Sequence, residues 1–308
     1  MKRVMQSSAL AMVLAAGLLG CRPEPSVELD FSHREPPPPR TGGNPNTLRV
    51  AVGAMVSPET TFDSYEGLVR LIAESVGRRP EFVQRRTYEE INRMLLNGEI
   101  DIAFLCTGAY VSIRDRVRFL AAPVMNGSPT YRSYIVVRAG GPTTLDGIRG
   151  ERFAFTDPLS NTGRLYPIYL LRTRFGEGPR QFFGTTVYTG GHDESLRALL
   201  AGTIDAAAID GSVFDAHGRA DPHEIEGLTI VHRSPPFGSP PFVARADLDP
   251  AVADTVRTTL LRAHLEPASR ALLDGIGIER FATDADYSFA ARVAEVALGE
   301  TPMGDAPP

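Results

Sequence analysis

The segment Thr156-Asp-Pro-Leu-Ser-Asn-Thr-Gly-Arg-Leu-Tyr-Pro167 gathers hydroxyls, an amide and a glycine between the apolar run Phe153-Ala-Phe155 and "IYLLRTRFG", which reads as a helix. Ser, Thr, Asn and Asp are the ordinary caps of helix starts, so a well-capped helix accounts for the segment by itself. The same groups suit a second task. Hydroxyl donors beside the unpaired N–H groups and positive dipole end of a helix make a cradle for an oxyanion, and a glycine lets backbone approach the ligand. Ser160, Asn161, Thr162 and Gly163 are therefore candidate ligand groups.

Further candidates stand where strands hand over to helices. His192 opens a helix after a strand; it is either a surface cap or a donor to a ligand oxygen, best when protonated. Asp210 closes the apolar "IDAAAID", as a turn former in "DGS" or as a ligand group. Tyr65 and Tyr110 each offer an apolar face and a hydroxyl; a core tyrosine is the default for either, and their position at strand-to-helix turns favours a cleft. Groups that make or break bonds are not evident. There is no Gly-x-Ser-x-Gly elbow, no His-Glu-x-x-His, no Walker loop and no prominent carboxylate pair. His217, His223 and His232, with Glu224 and Glu226, match no compact ligand spacing and read as a polar surface, so neither metal nor cofactor is expected.

These residues need elements to hold them. "LRVAVG", "PEFVQR" and "IDIAFL" read as strands separated by helices over "SYEGLVRLIAESVG" and "YEEINRMLLNG". The succession returns as "RFAFT", "GRLYPIYLLRTRFG", "TTVYTG", "DESLRALLAG" and "IDAAAID". Residues 88–103 superpose on 192–207, with Glu90 over Glu194, Gly98 over Gly202 and Asp101 over Asp205. Two βαβαβ blocks imply two α/β lobes, and ligands of parallel sheets sit beyond the carboxyl ends of the strands. Three helices follow, near 250–264, 266–274 and 285–297; they are expected to pack on the first lobe, with crossovers near 134–138 and 237–245. Two crossing strands would form a hinge.

Hydrophobic residues at 43% and charged residues at 22% fit a soluble globular chain. The 32 basic against 37 acidic residues give −5, which offers no broad attraction to nucleic acid. Lys2 is the lone lysine, which excludes lysine Schiff-base and P-loop lysine chemistry from a processed chain. Lys2, Arg3 and the apolar "ALAMVLAAGLLG" read as a signal segment over 1–20, and Leu18-Leu-Gly-Cys21 resembles the bacterial lipobox, which implies cleavage before a lipid-modified Cys21. Residues 21–47, with "REPPPPRTGGNPN", read as a tether and 299–308 as a loose tail. Cys106 then remains as the other thiol and reads as a small buried hydrophobe.

Taken in order, "FDSYEGLV", "TYEEINRMLLNGEIDIAFLCTGAYV", "FAFTDPLSNTGRLYP", "GGHDESLRALLAGTIDAAAIDGSVF" and "SPPFGSPPFVARADLDP" resemble the phosphonate, phosphite and phosphate substrate-binding proteins of ABC transporters, over roughly residues 48–290. The resemblance implies a two-lobed type II periplasmic-binding fold, with mostly parallel sheets flanked by helices and a two-strand hinge. It divides the body into lobe I (48–137 with 241–298) and lobe II (138–240). It implies an extracytoplasmic protein, held to the membrane by lipidated Cys21, that hands a small oxyanion to an ABC permease without chemical change. It carries Ser160, Asn161, Thr162 and Gly163 onto the anion cradle, Tyr65, Thr107 and Tyr110 onto the first-lobe wall, His192 onto a cleft histidine, and Asp210 near an acid that meets an amine or protonated oxygen. "CTG" at 106–108 departs from a Gly-Pro-like turn, and Asn161 stands where a small residue or Thr is usual. A sensory role on the same fold, an enzyme on the same scaffold, and a sulfonate or heterocyclic ligand are the competing readings.

Overall fold

Strand β1 (Thr47–Val52) runs into helix α1 (Pro58–Ser75), whose start is fixed by Pro58 and by the Ser57 side chain accepting from the Thr60 N–H. The computed structural model describes residues 44–53 and 55–299; the expected signal segment, Cys21, the tether before residue 44 and residues 300–308 lie outside the described residues. β2 (Arg79–Val83), α2 (Tyr88–Leu96), β3 (Ile102–Phe104), α3 (Thr107–Ile113) and β4 (Val117–Val124) complete the first block. A short β5 (Thr130–Tyr131) leads across to β6 (Ser133–Arg138) and β7 (Arg152–Phe155), followed by a π-helical turn at Asn161–Leu165 that continues as α4 (Tyr166–Phe175). Next come α5 (Pro179–Phe182), β8 (Thr185–Tyr188), α6 (His192–Leu200), β9 (Ala206–Asp210), α7 (Gly211–Ala220), α8 (Pro222–Glu226) and β10 (Leu228–Arg233). The chain returns through β11 (Phe237–Gly238) to β12 (Phe242–Arg245), α9 (Pro250–Arg262), α10 (Pro267–Gly275), β13 (Arg280–Ala282) and α11 (Ser288–Leu298).

The first sheet is ordered β13-β4-β12-β3-β1-β2 and the second β10-β6-β9-β7-β8. β1 lies parallel to β2 and β3, and β7 parallel to β8 and β9, while the returning strands β12 and β6 pair antiparallel beside β3 and β9. The sheets are thus mixed rather than mostly parallel, with a parallel trio along one edge of each. The repetition extends to side chains. Arg49 donates from its backbone N–H and guanidinium to Asp101 and also reaches the Gly98 carbonyl, at 2.8 Å; Arg152 does the same to Asp205 and the Gly202 carbonyl, at 3.0 Å. Gly98 and Gly202 both hold a left-handed φ, near 70°, that ends their helices at matching points.

Two corrections concern how the lobes join. Residues 133–138 belong to the second sheet, so the first crossover lies at β5 rather than near 134–138, and the division falls upstream of residue 137. β5 pairs antiparallel with β11, forming the two-strand hinge. The last helix does not pack on the first lobe alone. Ala290, Val293, Ala294 and Ala297 of α11 join the apolar cluster of Leu165, Ile168 and Leu171 in lobe II, and α11 also borders α3 of lobe I. Lobe I has its own core, in which Leu48, Val50 and Val52 of β1 meet Leu68 and Ile72 of α1 and Val256 and Leu260 of α9. Each such fully buried aliphatic side chain contributes about 1.5–3 kcal/mol.

Candidate functional site

The carboxyl ends of β3, β7 and β9 and the starts of α2, α3, α4 and α6 meet between the lobes. In the second lobe, β7 ends at Phe155 and the next turn is fixed by Ser160, whose Oγ accepts from the Gly163 N–H at 3.0 Å. The Arg164 and Leu165 N–H groups both donate to the Ser160 carbonyl, at 3.0 and 2.9 Å, so the helix opens on a widened π turn, a form frequent at functional sites. Gly163 is required there: a Cβ would stand 1.9 Å from Thr156 Oγ1 and 2.9 Å from Ser160 Oγ. Ser160 is therefore a cap. The neighbours are not, because Thr156 Oγ1, Asn161 Oδ1 and Thr162 Oγ1 are buried without a hydrogen-bond partner. An unpaired buried polar atom costs about 1–3 kcal/mol, so such a group in a native fold calls for an explanation.

The first lobe closes on this turn. A Cβ at Gly108 would stand 2.3 Å from the Leu159 carbonyl oxygen, so the start of α3 touches the second-lobe loop through a glycine. Thr107 is fully buried and its Oγ1 donates to the Gly238 carbonyl of the hinge at 2.8 Å. Asn161 Nδ2 donates to the Tyr131 hydroxyl at 3.2 Å, and Ser239 Oγ, next to the hinge, is another buried unpartnered hydroxyl. Tyr65, Tyr131, Ser212 and Ser239 border one cavity between the lobes, about 620 Å³ in volume. Cys106 is buried at the same seam, where burial pushes its thiol up to about 11.

Backbone-level bonds hold the lobes shut. Asp157 accepts from the Tyr88 N–H at 3.2 Å, Asp193 accepts from the Ser57 N–H at 3.0 Å, and the His192 N–H donates to the Met55 carbonyl at 2.9 Å. Both carboxylates lie on lobe II and meet orphan N–H groups at helix starts of lobe I, where the dipole favours negative charge.

Arg219, His217 and Asp274 also border the cavity. Arg164, though on the cradle turn, donates to the Tyr188 hydroxyl at 2.6 Å and the Pro158 carbonyl at 3.0 Å. His192 is buried, and its Nδ1 accepts from the Asp210 N–H at 3.0 Å, which leaves the ring proton on Nε2. Burial lowers its pKa to about 3, so the expectation of a protonated donor is corrected: the ring is neutral and donates only through Nε2. Burial raises Asp210 to about 6 against two hydrogen bonds from Ser212, at 2.8 and 2.5 Å. Burial, followed by the Asp210 charge, raises the Tyr65 hydroxyl, and burial dominates for Tyr88 and Tyr131, which also feel Asp210.

Of the expected residues, Ser160, Asn161, Thr162, Gly163, His192, Asp210, Tyr65 and Thr107 come together here. Tyr110 does not. Its ring lies edge-on to Tyr287, with centroids 4.8 Å apart, in a core cluster with Ile113 and Val243. Tyr88, Tyr131, Thr156, Asp157 and Ser239 were missed. The pairing of Tyr88 with His192 in the repeat was a usable signal for the first; the crossovers holding Tyr131 and Ser239 have no periodicity to read. His217, His223 and His232 are dispersed: His217 meets Glu224 at 2.7 Å, His223 meets Glu226 at 3.0 Å, and His232 meets the Tyr166 hydroxyl at 2.7 Å.

Residues 50–287 match the family described as the periplasmic substrate-binding protein of the phosphonate ABC transporter. The phosphate-import protein PhnD of Mycolicibacterium smegmatis is 27% identical over 234 residues, 70% of this chain and 71% of that one. Among solved structures, PhnD1 of Prochlorococcus marinus in complex with methylphosphonate superposes with a TM-score of 0.73 at 17% identity, covering 82% of this chain and 97% of that one. The binding component of a Pseudomonas aeruginosa phosphonate transporter gives 0.74 at 17% identity, covering 83% and 90%.

Proposed function

Because the chain belongs to the periplasmic substrate-binding proteins of phosphonate ABC transporters, we propose that it captures a phosphonate, phosphite or phosphate anion at the cradle of Thr156, Asn161 and Thr162 and carries it to the permease. The protein is a phosphonate- or phosphate-binding component of an ABC transporter and works outside the cytoplasm. The identity of the anion and the residues that hold it are the proposal. The observation that carries it is the set of buried, unpartnered oxygens on Thr156, Asn161, Thr162 and Ser239.

The mechanism is reversible capture. Open lobes admit the anion; hydroxyls of Thr156 and Thr162 donate to its oxygens from lobe II, where the positive end of the helix dipole favours negative charge. His192 Nε2–H and the Tyr65 hydroxyl add neutral donors. Asn161 Oδ1 and Asp210 accept, which suits an oxyanion that keeps a proton on one oxygen. Contacts from both sides favour the closed form, which the permease recognises. No bond is made or broken. Anchoring through lipid on Cys21 belongs to the same proposal, supported by Leu18-Leu-Gly-Cys21; palmitate labelling of the protein, lost in Cys21→Ala, tests it.

A thermal-shift panel of phosphonates, phosphite, phosphate, sulfate and sulfonates tests the ligand. At a hundredfold excess over Kd a true ligand stabilises by about 2.7 kcal/mol. Phosphorus oxyanions are expected to lead; silence from all of them with a shift by a sulfonate or a heterocycle overturns the assignment.

A further inference from the structure

We infer that Ser239 is a ligand-binding residue supplied by the hinge, its hydroxyl donating to the captured anion from a segment apart from the helix starts of either lobe. The inference rests on the capture of an anion at the cradle and adds a third point of contact. It begins with a repeat: residues 234–237 and 239–242 both read Ser-Pro-Pro-Phe, with Gly238 between them. The two phenylalanines anchor in different cores. Phe237 is buried in the apolar cluster of lobe II and Phe242 in that of lobe I. The chain between them is a short strap pinned at each end in a different lobe, and Ser239 lies within it.

The two serines of the repeat are used differently. Ser234 Oγ accepts from the Ser133 N–H at 2.8 Å and donates to the Pro235 carbonyl at 2.6 Å, so its hydroxyl is structural. Ser239 is equally buried, at 1% exposure, yet its Oγ has no hydrogen-bond partner among the described residues. Its backbone is fully engaged: the N–H donates to the Pro129 carbonyl at 2.9 Å, and the carbonyl accepts from the Tyr287 hydroxyl at 2.8 Å. On either side, the Gly238 carbonyl accepts from Thr107 Oγ1 at 2.8 Å and the Pro241 carbonyl from the Leu105 N–H at 3.0 Å, while Pro240 and Pro241 fix their own φ. The main chain is thus held firmly and the hydroxyl alone is left over. A buried polar group in that state calls for a partner. Ser239 borders the interlobe cavity with Pro240 and Tyr131, and the Tyr131 hydroxyl accepts from Asn161 Nδ2 of the cradle turn at 3.2 Å. A serine hydroxyl there is a neutral donor, as Thr156 and Thr162 are, and its complement is an oxygen of the seated anion. Because the strap joins the lobes, a bond to it favours the closed form at the point about which they turn.

Calorimetric titration with methylphosphonate, phosphite and phosphate, together with melting curves without ligand, tests this on the wild type, Ser239→Ala and Ser234→Ala. Ser239→Ala is expected to bind each anion that the wild type binds about tenfold to a hundredfold more weakly, as loss of a hydrogen bond to a charged group does, with an unliganded melting temperature equal to or above that of the wild type. Ser234→Ala is the control for a structural hydroxyl and is expected to melt lower, since the Ser133 N–H loses its partner. Full affinity in Ser239→Ala, the result if a buried water satisfies the hydroxyl, overturns the inference and leaves the cradle in place. Loss of affinity and of unliganded stability together in Ser239→Ala shows a structural role and overturns it as well. Binding of none of the anions by the wild type overturns the reading of the cradle and this inference with it.

Discussion

The Asp157 carboxylate of lobe II accepts from the Tyr88 backbone N–H of lobe I at 3.2 Å, so the turn proposed to cradle the anion also caps a helix across the cleft. The same carboxylate accepts from the Leu159 N–H at 2.7 Å, which holds its own turn in shape. Asp193 repeats the arrangement against Ser57 at 3.0 Å. Two helix starts of lobe I are thus each met by a carboxylate of lobe II.

Replacing Asp157 with Ala removes one of these latches. Hydrogen bonds to charged groups are worth about 1.5–3 kcal/mol, so phosphonate affinity is expected to fall about tenfold or more and small-angle scattering to show a larger unliganded particle. Unchanged affinity and dimensions would contradict the latch.

Cap and cradle residues separate on mutation. Ser160→Ala deletes a cap and is expected to lower unliganded stability by about 1 kcal/mol. Thr162→Ala deletes an unpartnered hydroxyl and is expected to leave unliganded stability equal or higher while weakening ligand binding by about tenfold to a hundredfold. Chemical denaturation and calorimetry on the two variants check the contrast; a destabilised Thr162→Ala with full affinity would reverse the assignment.

Gly108 is the point where α3 meets the opposite lobe, and a Cβ there would stand 2.3 Å from the Leu159 carbonyl oxygen and 3.0 Å from the Asn161 nitrogen. Gly108→Ala is expected to keep each lobe folded, with native circular dichroism, yet to hold the cleft open and lose most ligand affinity. Wild-type affinity would show that the lobes yield at this contact.

Two buried cleft groups give opposite pH signatures. His192 has its folded pKa lowered to about 3, so its contribution is present above its ordinary value near 6.5 and is lost as pH falls toward 3. Asp210 has its folded pKa raised to about 6, so stability present below 3.8 is lost as pH rises to 6. Melting curves across pH 3–8 should therefore show His192→Gln gaining on the wild type as pH falls from about 6.5 toward 3, and Asp210→Asn gaining as pH rises from about 4 to 6 and holding that gain above it. Parallel curves for all three proteins would show that neither group titrates differently on folding.

Much of this arrangement is written in local pattern. Gly98 and Gly202, Asp101 and Asp205, and the strands preceding them were matched from sequence, because helix ends and strand starts are set by neighbours in the chain. The match predicted two similar lobes, and Arg49–Asp101 and Arg152–Asp205 reproduce it in side-chain bonds. Tyr110 was misread because its partner Tyr287 comes from a distant C-terminal segment, which drew the ring into a core that no local pattern specifies. Tyr131 and Ser239 escaped notice because the hinge segments are too short for periodicity, and the charge state of His192 because burial, not residue type, decides it. The hinge was misplaced for a related reason: an apolar strand such as Tyr134–Val137 reads the same whether it crosses between lobes or lies within one.

The structure of the protein bound to methylphosphonate tests the central claim most directly. The account predicts a closed cleft with phosphonate oxygens within hydrogen-bond reach of Thr162 Oγ1 from lobe II and of the Tyr65 hydroxyl from lobe I. A phosphonate bound away from Thr156, Asn161 and Thr162, or held by one lobe alone, would contradict it.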